Sequence, residues 1–249
     1  MRLSFRSIGM LLVLAFLLST TANSVSAQDL SISFGDAETL TARSIQLIAL
    51  VTLLSIVPGL AVMITCFPFI VTVLSILRQA IGLQQSPPNM MIVSLALFLT
   101  YFVMDPVLTE SWTRGIEPLM NGQIDLETAF VNALEPFRVF MSGRVSEDTY
   151  YHLAELRAAP EFIEPVTAKT SLSLLVPSFL LSEIERAFQI GFLVFLPFLI
   201  IDLVVSAILM SMGMMMVPPA IVSLPFKLAF FVVSDGWTLL SGALVRSYF

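Results

Sequence analysis

Residues 187–219 read AFQIGFLVFLPFLIIDLVVSAILMSMGMMMVPP, and this stretch decides the fold. From Ala187 to Met216 its only ionisable side chain is Asp202. A transmembrane helix needs about 20 apolar residues, so a run of this length must lie in lipid or in the core of an assembly. The run ends in clustered methionines and two prolines, and methionine is a flexible side chain suited to a deformable surface. The stretch therefore predicts a buried helix that ends at a methionine-rich turn.

The composition extends this prediction to the whole chain. Hydrophobic residues make up 57% of the sequence and charged residues 12%, with a mean hydropathy of +0.93. Soluble globular proteins carry about a quarter charged residues. We therefore expect an all-α membrane protein, built from broken helical hairpins with a small helical periplasmic segment.

The first 27 residues have the three parts of a secretory signal peptide. Arg2 and Arg6 form a basic start, an apolar region follows from Ile8 to Leu18, and small residues precede Ala27. We predict cleavage after Ala27, with an uncleaved N-terminal anchor as the alternative. Cleavage would remove two arginines and no acid, which changes the net charge from -6 to -8.

Most of the excess acid lies in the middle of the chain. Between Asp105 and Lys169 there are eleven Asp or Glu and five Lys or Arg. Nucleic acid is therefore not expected as a partner, because phosphate binding needs a basic patch. We also expect no metal or other cofactor, since Cys66 is the one cysteine and His152 the one histidine. Cys66 is interpreted as a packing residue and His152 as a structural one.

Apolar runs and helix breakers divide the mature chain into three parts: an N-terminal hairpin (28–109), an acidic helical segment (110–169) and a C-terminal hairpin (170–249). In the first hairpin, Ile45–Leu77 is too long for one straight span, so a kinked helix or two shorter helices would fit. A polar turn at 84–89 then leads to the run Met90–Met104. In the C-terminal hairpin we expect helices from Ser171 to Leu181, Ala187 to Leu209 and Pro219 to Val233. The predicted helix breaks are Pro58, Pro68, Pro197, Pro218 and Pro219.

Four ionisable residues at apolar depth are candidate sites, because an unpaired charge in a membrane costs several kcal/mol. Glu183 and Arg186 are three residues apart and could partly neutralise each other. Lys227 has no acid within one helical turn, so its candidate partners are Asp202 and an acid of another subunit. A lysine that reaches the membrane interface is the third interpretation. Among these we predict a pair across a subunit boundary.

The methionines Met210, Met212, Met214, Met215 and Met216 could simply fill gaps in a core, as methionine usually does. Five methionines within seven residues, beside Gly213 and the two prolines, instead favour a flexible loop at a turn. Side chains that converge there from several copies could close a hole.

Seven sequence blocks resemble the FliP family of flagellar type III export-gate proteins and its injectisome relatives. The blocks are Phe67–Phe69, Leu77–Ala80, Gln84–Asn89, Ser182–Ile184, Ala187–Phe192, Pro197–Asp202 and Gly213–Pro219. Two further matching blocks, 224–227 and 235–237, extend the resemblance over essentially all of the mature chain.

The resemblance implies a subunit of the export gate in the bacterial inner membrane, within the flagellar basal body. Several copies would assemble with FliQ, FliR and other export-apparatus and basal-body proteins into a closed, helically arranged cone that passes unfolded flagellar proteins. The matching motif would place the gasket of this channel on the five methionines. The resemblance also implies that some apolar helices face neighbouring subunits instead of lipid.

Two other functions were weighed against export. A membrane enzyme would need a nucleophile and a base at lipid depth, and the sequence places no histidine in a span. A small-solute transporter is the more serious alternative, because prolines at 58 and 197 and the charges of Asp202 and Lys227 resemble a transport site. It predicts repeated patterns in the two halves, and none is visible. A cleaved signal peptide would place the middle segment in the periplasm.

Overall fold

The structure, a computed structural model, describes residues 37–82, 87–157, 165–214 and 216–249. Within these ranges the regular elements are all helical, which confirms the all-α prediction. Trp112–Ile116 forms a turn of π-helix between the third and fourth helices. In chain order the helices are α1 Ala37–Met63, α2 Phe67–Ile81, α3 Asn89–Ser111, α4 Glu117–Met120, α5 Leu126–Ser142, α6 Glu147–Glu155, α7 Leu172–Ser211, α8 Pro219–Val233 and α9 Gly236–Arg246.

The chain divides into two units, Met1–Leu53 and Leu54–Phe249. The first unit is described from Ala37 onward, where it consists of the N-terminal part of α1. The second unit contains the other helices and the buried cores. The predicted signal peptide and residues 84–86 of the predicted 84–89 turn lie outside the described residues.

Among the described residues, three helical segments are long and apolar enough to cross a membrane. They are Arg43–Met63, Asn89–Met120 and Leu172–Ser211. The helices α8 and α9 would form a fourth span if counted together, although they meet at a bend of 61°. These segments support the membrane assignment made from composition.

The core of the second unit is organised around α2, which is shorter than a membrane span. Its buried side chains recur three and four residues apart, which places them on one face of the helix. That face packs along α7, and α3 packs against α2 as the second arm of the hairpin. The buried residues of α2 are Phe69, Ile70, Val73, Leu74, Leu77, Ala80 and Ile81.

The prolines have different effects from those predicted. Helix α1 continues through Pro58 and α7 continues through Pro197, so the two predicted breaks are wrong. A proline removes one backbone donor and bends a helix, but the remaining hydrogen bonds of a long apolar helix can hold it together. The break in the first apolar segment instead falls between Met63 and Phe67, next to Pro68. The first apolar segment therefore forms two shorter helices, which is one of the two predicted arrangements.

The helix α7 has 40 residues and passes without interruption through Ser182–Arg186, where a break was predicted. At a rise of about 1.5 Å per residue it is about 60 Å long, roughly twice the thickness of a bilayer's hydrocarbon core. Its N-terminal half therefore extends beyond the hydrocarbon if its most apolar part lies within it. At Gly191 it approaches α2 so closely that a Cβ atom would lie 2.3 Å from Ile76 Cδ1.

The C-terminal helix α9 was not predicted from the sequence. It follows a sharp bend in which Asp235 has a left-handed backbone conformation, with φ of 50°. The next residue, Gly236, lies against the ring of Phe231, which leaves no room for a side chain. The bend brings the end of the chain back to the buried core, where Leu240 and Leu244 are buried.

Candidate functional site: the methionine turn and two buried charge clusters

The methionine turn, residues 210–218, connects α7 to α8. The amide of Gly213 donates to the carbonyl of Met210, and the amide of Met214 donates to the carbonyl of Leu209, both at 3.0 Å. With φ of 76° at Gly213, this pair of bonds is a Schellman motif, the common glycine-dependent end of a helix. The sequence predicted a flexible loop, whereas the described part of this turn begins with a defined helix cap.

The second side of the turn is set by the two prolines. Pro218 precedes the first helical residue and Pro219 begins α8. Proline is favoured at this position because its fixed φ suits a helix start and its missing amide proton is not needed. Pro218 and Pro219 therefore mark the start of α8, whereas the cap at Gly213 ends α7.

Most methionine side chains of the turn do not contribute to the core of the single chain. Met216 is 98% exposed and Met212 is 65% exposed, while Met210 and Met214 are also exposed. Met215 lies outside the described residues. Exposed thioethers at a fixed turn form a soft apolar surface that is available to another molecule.

An apolar groove of about 520 Å³ runs from the base of this turn between α7 and α8. Met212 and Met214 line one end of the groove, together with side chains such as Leu209 and Phe226. Part of the turn is thus supported by the helical hairpin, while Met216 extends away from it.

The first charge cluster joins Asp202 of α7 to Lys227 of α8. Lys227 Nζ lies 2.6 Å from Asp202 Oδ2, and it donates a second hydrogen bond of 3.1 Å to the carbonyl of Ala80. Ser223 Oγ donates to Asp202 Oδ1 at 2.5 Å. Ala80 lies in the last turn of α2, where carbonyls lack intrahelical partners and the helix dipole favours a cation. One ammonium group therefore links three helices.

Within the chain, Lys227 pairs with an acid of α7, which favours the within-chain alternative over a partner in another subunit. The sequence named Asp202 as the alternative within the chain, and the structure brings these two residues together. Because the Lys227 side chain is buried, the ammonium is screened from water by the helices that it connects.

The second charge cluster surrounds Glu183, which has 0% exposure in α7. Arg144, just after α5, donates from Nε to Glu183 Oε1 at 3.0 Å. The hydroxyl of Tyr248, one residue before the C-terminus, donates to Glu183 Oε2. Arg144 also donates to the carbonyl of Ser247 at 2.8 Å, and its guanidinium carbon lies 4.1 Å from the centre of the Tyr248 ring. Both carboxylate oxygens therefore have partners from distant parts of the chain.

The predicted partnership of Glu183 with Arg186 is wrong. Arg186 is partly exposed, while the buried carboxylate faces Arg144. The i,i+3 spacing would allow Arg186 to contact Glu183. The turn after α5 instead places the Arg144 guanidinium against the carboxylate, where it also stacks on the Tyr248 ring. Arg144 lies in the polar middle segment and Tyr248 follows the last predicted helix. Neither position indicates a contact with a buried carboxylate, so the sequence did not predict these two residues.

Burial determines the protonation of two groups near this core. The pKa of Tyr248 is raised well above its ordinary value by desolvation, and the Glu183 carboxylate raises it further. Tyr248 therefore stays a hydrogen-bond donor. Burial likewise raises the pKa of the Cys66 thiol to about 12, so that it stays neutral, in agreement with its interpretation as a packing residue. Within the described ranges, no three His, Cys, Asp or Glu side chains come together as a metal site.

Comparison with known proteins agrees with the family resemblance of the sequence motifs. The model of the FliP family matches residues 50–244. The chain is 50% identical over 218 residues to the flagellar biosynthetic protein FliP of Caulobacter vibrioides, covering 88% of this chain and 81% of that protein. It is 43% identical to the Bacillus subtilis protein of the same name, covering 82% and 92% respectively. The corresponding Aquifex aeolicus protein is 40% identical, with coverage of 82% and 86%.

Proposed function

Because this chain belongs to the FliP family, we propose that it is a core subunit of the export gate. Membership of this family makes it a membrane component of the flagellar export apparatus and not an enzyme. Several copies assemble with FliQ and FliR around a channel for unfolded flagellar proteins. The methionine turn of each copy contributes to a gasket that closes this channel. The solute-transporter alternative has no support from the relatives.

The observation that carries this proposal is the exposure of methionines at a turn with a fixed backbone. Met216 and Met212 are exposed although both are apolar, and Gly213 fixes the direction in which the chain leaves α7. A single copy gains little from such an arrangement, because exposed apolar groups lose the benefit of burial. Copies arranged in a ring would bury these side chains against one another.

The chemistry of methionine suits a seal around a moving polypeptide. Its unbranched, polarisable side chain can adopt many conformations and can contact side chains of different shape. A ring of methionines would present no charge to ions and no strong hydrogen-bond donor to small solutes. It could therefore exclude both when no substrate is present, and yield when an unfolded chain passes.

We place the subunit in the inner membrane, within the basal body, with residues 110–169 on the periplasmic side and residues 1–27 removed as a signal peptide. The length of α7 supports a position partly above the bilayer, since about 60 Å of helix exceeds the hydrocarbon thickness twofold. Its N-terminal half, which carries the Glu183 cluster, would then contact protein.

Alanine replacement of Met214, Met215 and Met216 tests the gasket. We expect the assembled complex to form in normal amount while cells leak small solutes, because alanine is too short to fill the constriction. The matched control replaces Met90, Met91 and Met120, which are also exposed but lie elsewhere. An intact permeability barrier in the turn variant would rule out the gasket role, as would equal leakage from both variants.

Partner assembly is tested separately by native mass measurement. The chain is expressed with and without FliQ and FliR and purified from detergent-solubilised membranes. A discrete multi-copy complex that incorporates both partners is expected. A stable monomer or dimer that ignores them would contradict the role as a gate subunit.

A further inference from the structure

The segment that follows α9 takes part in the charge cluster around Glu183. Ser247 and Tyr248 follow α9 and reach Arg144 and Glu183, whereas the terminal Phe249 is 78% exposed. The Tyr248 ring also packs against Phe69, with ring centres 5.6 Å apart, and stacks on Phe140 at 5.9 Å. Tyr248 is therefore partly buried and contacts α2, α5 and α7 through Phe69, Phe140 and Glu183.

We propose that Ser247 and Tyr248 form a C-terminal latch that holds the turn after α5 against α7. The latch consists of Tyr248 bonded to Glu183, the Ser247 carbonyl bonded to Arg144, and Arg144 bonded to Glu183. Through it, packing of the middle segment depends on the end of the chain.

Glu183 has no exposure and lies in a helix surrounded by apolar residues. A carboxylate in such a place is costly unless both oxygens are hydrogen-bonded. Arg144 satisfies one oxygen and Tyr248 the other. Neither bond alone completes the site, because the second oxygen would remain without a donor.

Arg144 is held in the cluster by three contacts. Its guanidinium bonds to Glu183, bonds to the Ser247 carbonyl and lies over the Tyr248 ring. Two of these three contacts are made by Ser247 and Tyr248. Removing residues 247–249 would expose Arg144 and weaken its ion pair with Glu183 of α7. A separate bond of 2.9 Å from the Ser146 amide to Ser182 Oγ also joins this turn to α7.

The order of synthesis gives the latch a conformational role. Arg144 and Glu183 are made well before Tyr248, which appears only after α8 and α9 are complete. The middle segment therefore acquires its full set of contacts only when the last hairpin is in place. A chain that lacks its end would carry a loosely attached middle segment.

Limited trypsin digestion of the purified full-length chain in detergent tests the latch. Trypsin cuts after arginine, and Arg144 is held within the cluster, whereas Arg157 is exposed at the end of α6 and serves as an internal reference. Cleavage of such a site follows the population of the open form. We expect Tyr248→Phe to raise cleavage after Arg144, relative to Arg157, by about tenfold, as for loss of a hydrogen bond to a charged group.

Two controls separate the latch from general damage. Tyr101→Phe removes a hydroxyl from an exposed ring and should leave the cleavage ratio unchanged. Deletion of Phe249 alone should also have no effect, whereas deletion of residues 247–249 should raise the ratio more than Tyr248→Phe does. Equal protection of Arg144 in the full-length chain and in this deletion would overturn the proposal.

A double substitution shows whether Tyr248 acts through Glu183. In a Glu183→Met background the hydroxyl has no carboxylate to bond, so adding Tyr248→Phe should change cleavage by less than about twofold. The same tenfold increase in both backgrounds would overturn the latch. These measurements use the single chain, so their outcome is independent of whether the methionine turn seals a pore.

Discussion

Two buried ion pairs in the described parts of the chain are stabilised in different ways. Asp202 and Lys227 lie on neighbouring apolar helices, and the Asp202 side chain keeps 33% of its surface exposed. Glu183 and Arg144 come from different parts of the chain, and the Glu183 side chain has none of its surface exposed. The first pair can share its charge with solvent, whereas the second depends entirely on protein donors. Removing a partner should therefore be more costly in the second cluster.

The choice of cation follows from the surroundings of each carboxylate. Lys227 is a compact charge that reaches both Asp202 and the carbonyl end of α2. Arg144 has a planar group, which lets it bond to a carboxylate and a carbonyl while it stacks on Tyr248. A lysine at position 144 would lose the stacking and the fixed geometry.

The largest effect is expected for Arg144→Met. The fully buried Glu183 carboxyl would lose its cation and one hydrogen-bond donor, and breaking a buried ion pair in this way typically costs about 3–5 kcal/mol. The free energy of unfolding in detergent, followed by tryptophan fluorescence, measures this cost. The control is Arg114→Met, which removes an exposed pair with Glu110 and should cost only a few tenths of a kcal/mol. Equal losses in the two variants would contradict the contrast between buried and exposed pairs.

A smaller loss, about 2 kcal/mol, is expected for Lys227→Met. The freed Asp202 carboxylate can recruit water on its exposed side, although the carbonyl of Ala80 also loses its donor. The same unfolding measurement applies, with Lys169→Met as the exposed-lysine control. If Lys227→Met proved more damaging than Arg144→Met, exposure of the carboxylate would not determine the cost.

Ser223→Ala should cost about 1 kcal/mol, because it removes one hydrogen bond to Asp202 and leaves the ion pair intact. Ser211→Ala is the control, since its exposed hydroxyl bonds only to a carbonyl of its own helix. Unfolding of the two variants is compared side by side. A loss for Ser223→Ala no greater than that of the control would show that Lys227 alone holds the carboxylate.

The smallest net change is expected when the whole first pair is replaced by apolar residues. Asp202→Leu combined with Lys227→Met removes both charges, and such replacements are often neutral for stability. In contrast, Glu183→Leu combined with Arg144→Met should remain destabilised, because the buried Tyr248 hydroxyl loses its acceptor. Full stability of this second double variant would show that Tyr248 adds nothing to its cluster.

The contrast between the clusters also shows what could be read from the sequence. Asp202 and Lys227 stand out because a charge in an apolar helix needs a partner, and each is the obvious acid or base in its helix. Arg144 follows an amphipathic helix in a polar segment, so nothing in its local sequence indicates burial. Its role depends on the bend at Asp235, which brings Tyr248 back to the core.

Helix boundaries show the same limit on what local sequence can predict. The start of α8 at Pro219 could be predicted because proline suits the first turn of a helix. The breaks predicted at Pro58 and Pro197 are wrong because a proline does not by itself end a helix whose other hydrogen bonds remain. The choice between a bend and a break depends on neighbouring helices, such as the close contact of Gly191 with Ile76. Local sequence does not contain that information.

The Schellman cap at Gly213 makes the backbone path at the start of the methionine turn independent of the exposed methionine side chains. Backbone bonds and one glycine reverse the chain, so the exposed thioethers at Met212 and Met216 are not needed to hold its path. The turn is therefore a natural site for exchanging side chains, and its chemistry could be altered stepwise in width, polarity or reactivity without redesigning the hairpin. Variation at these positions would change what the turn touches while leaving its position in the fold unchanged.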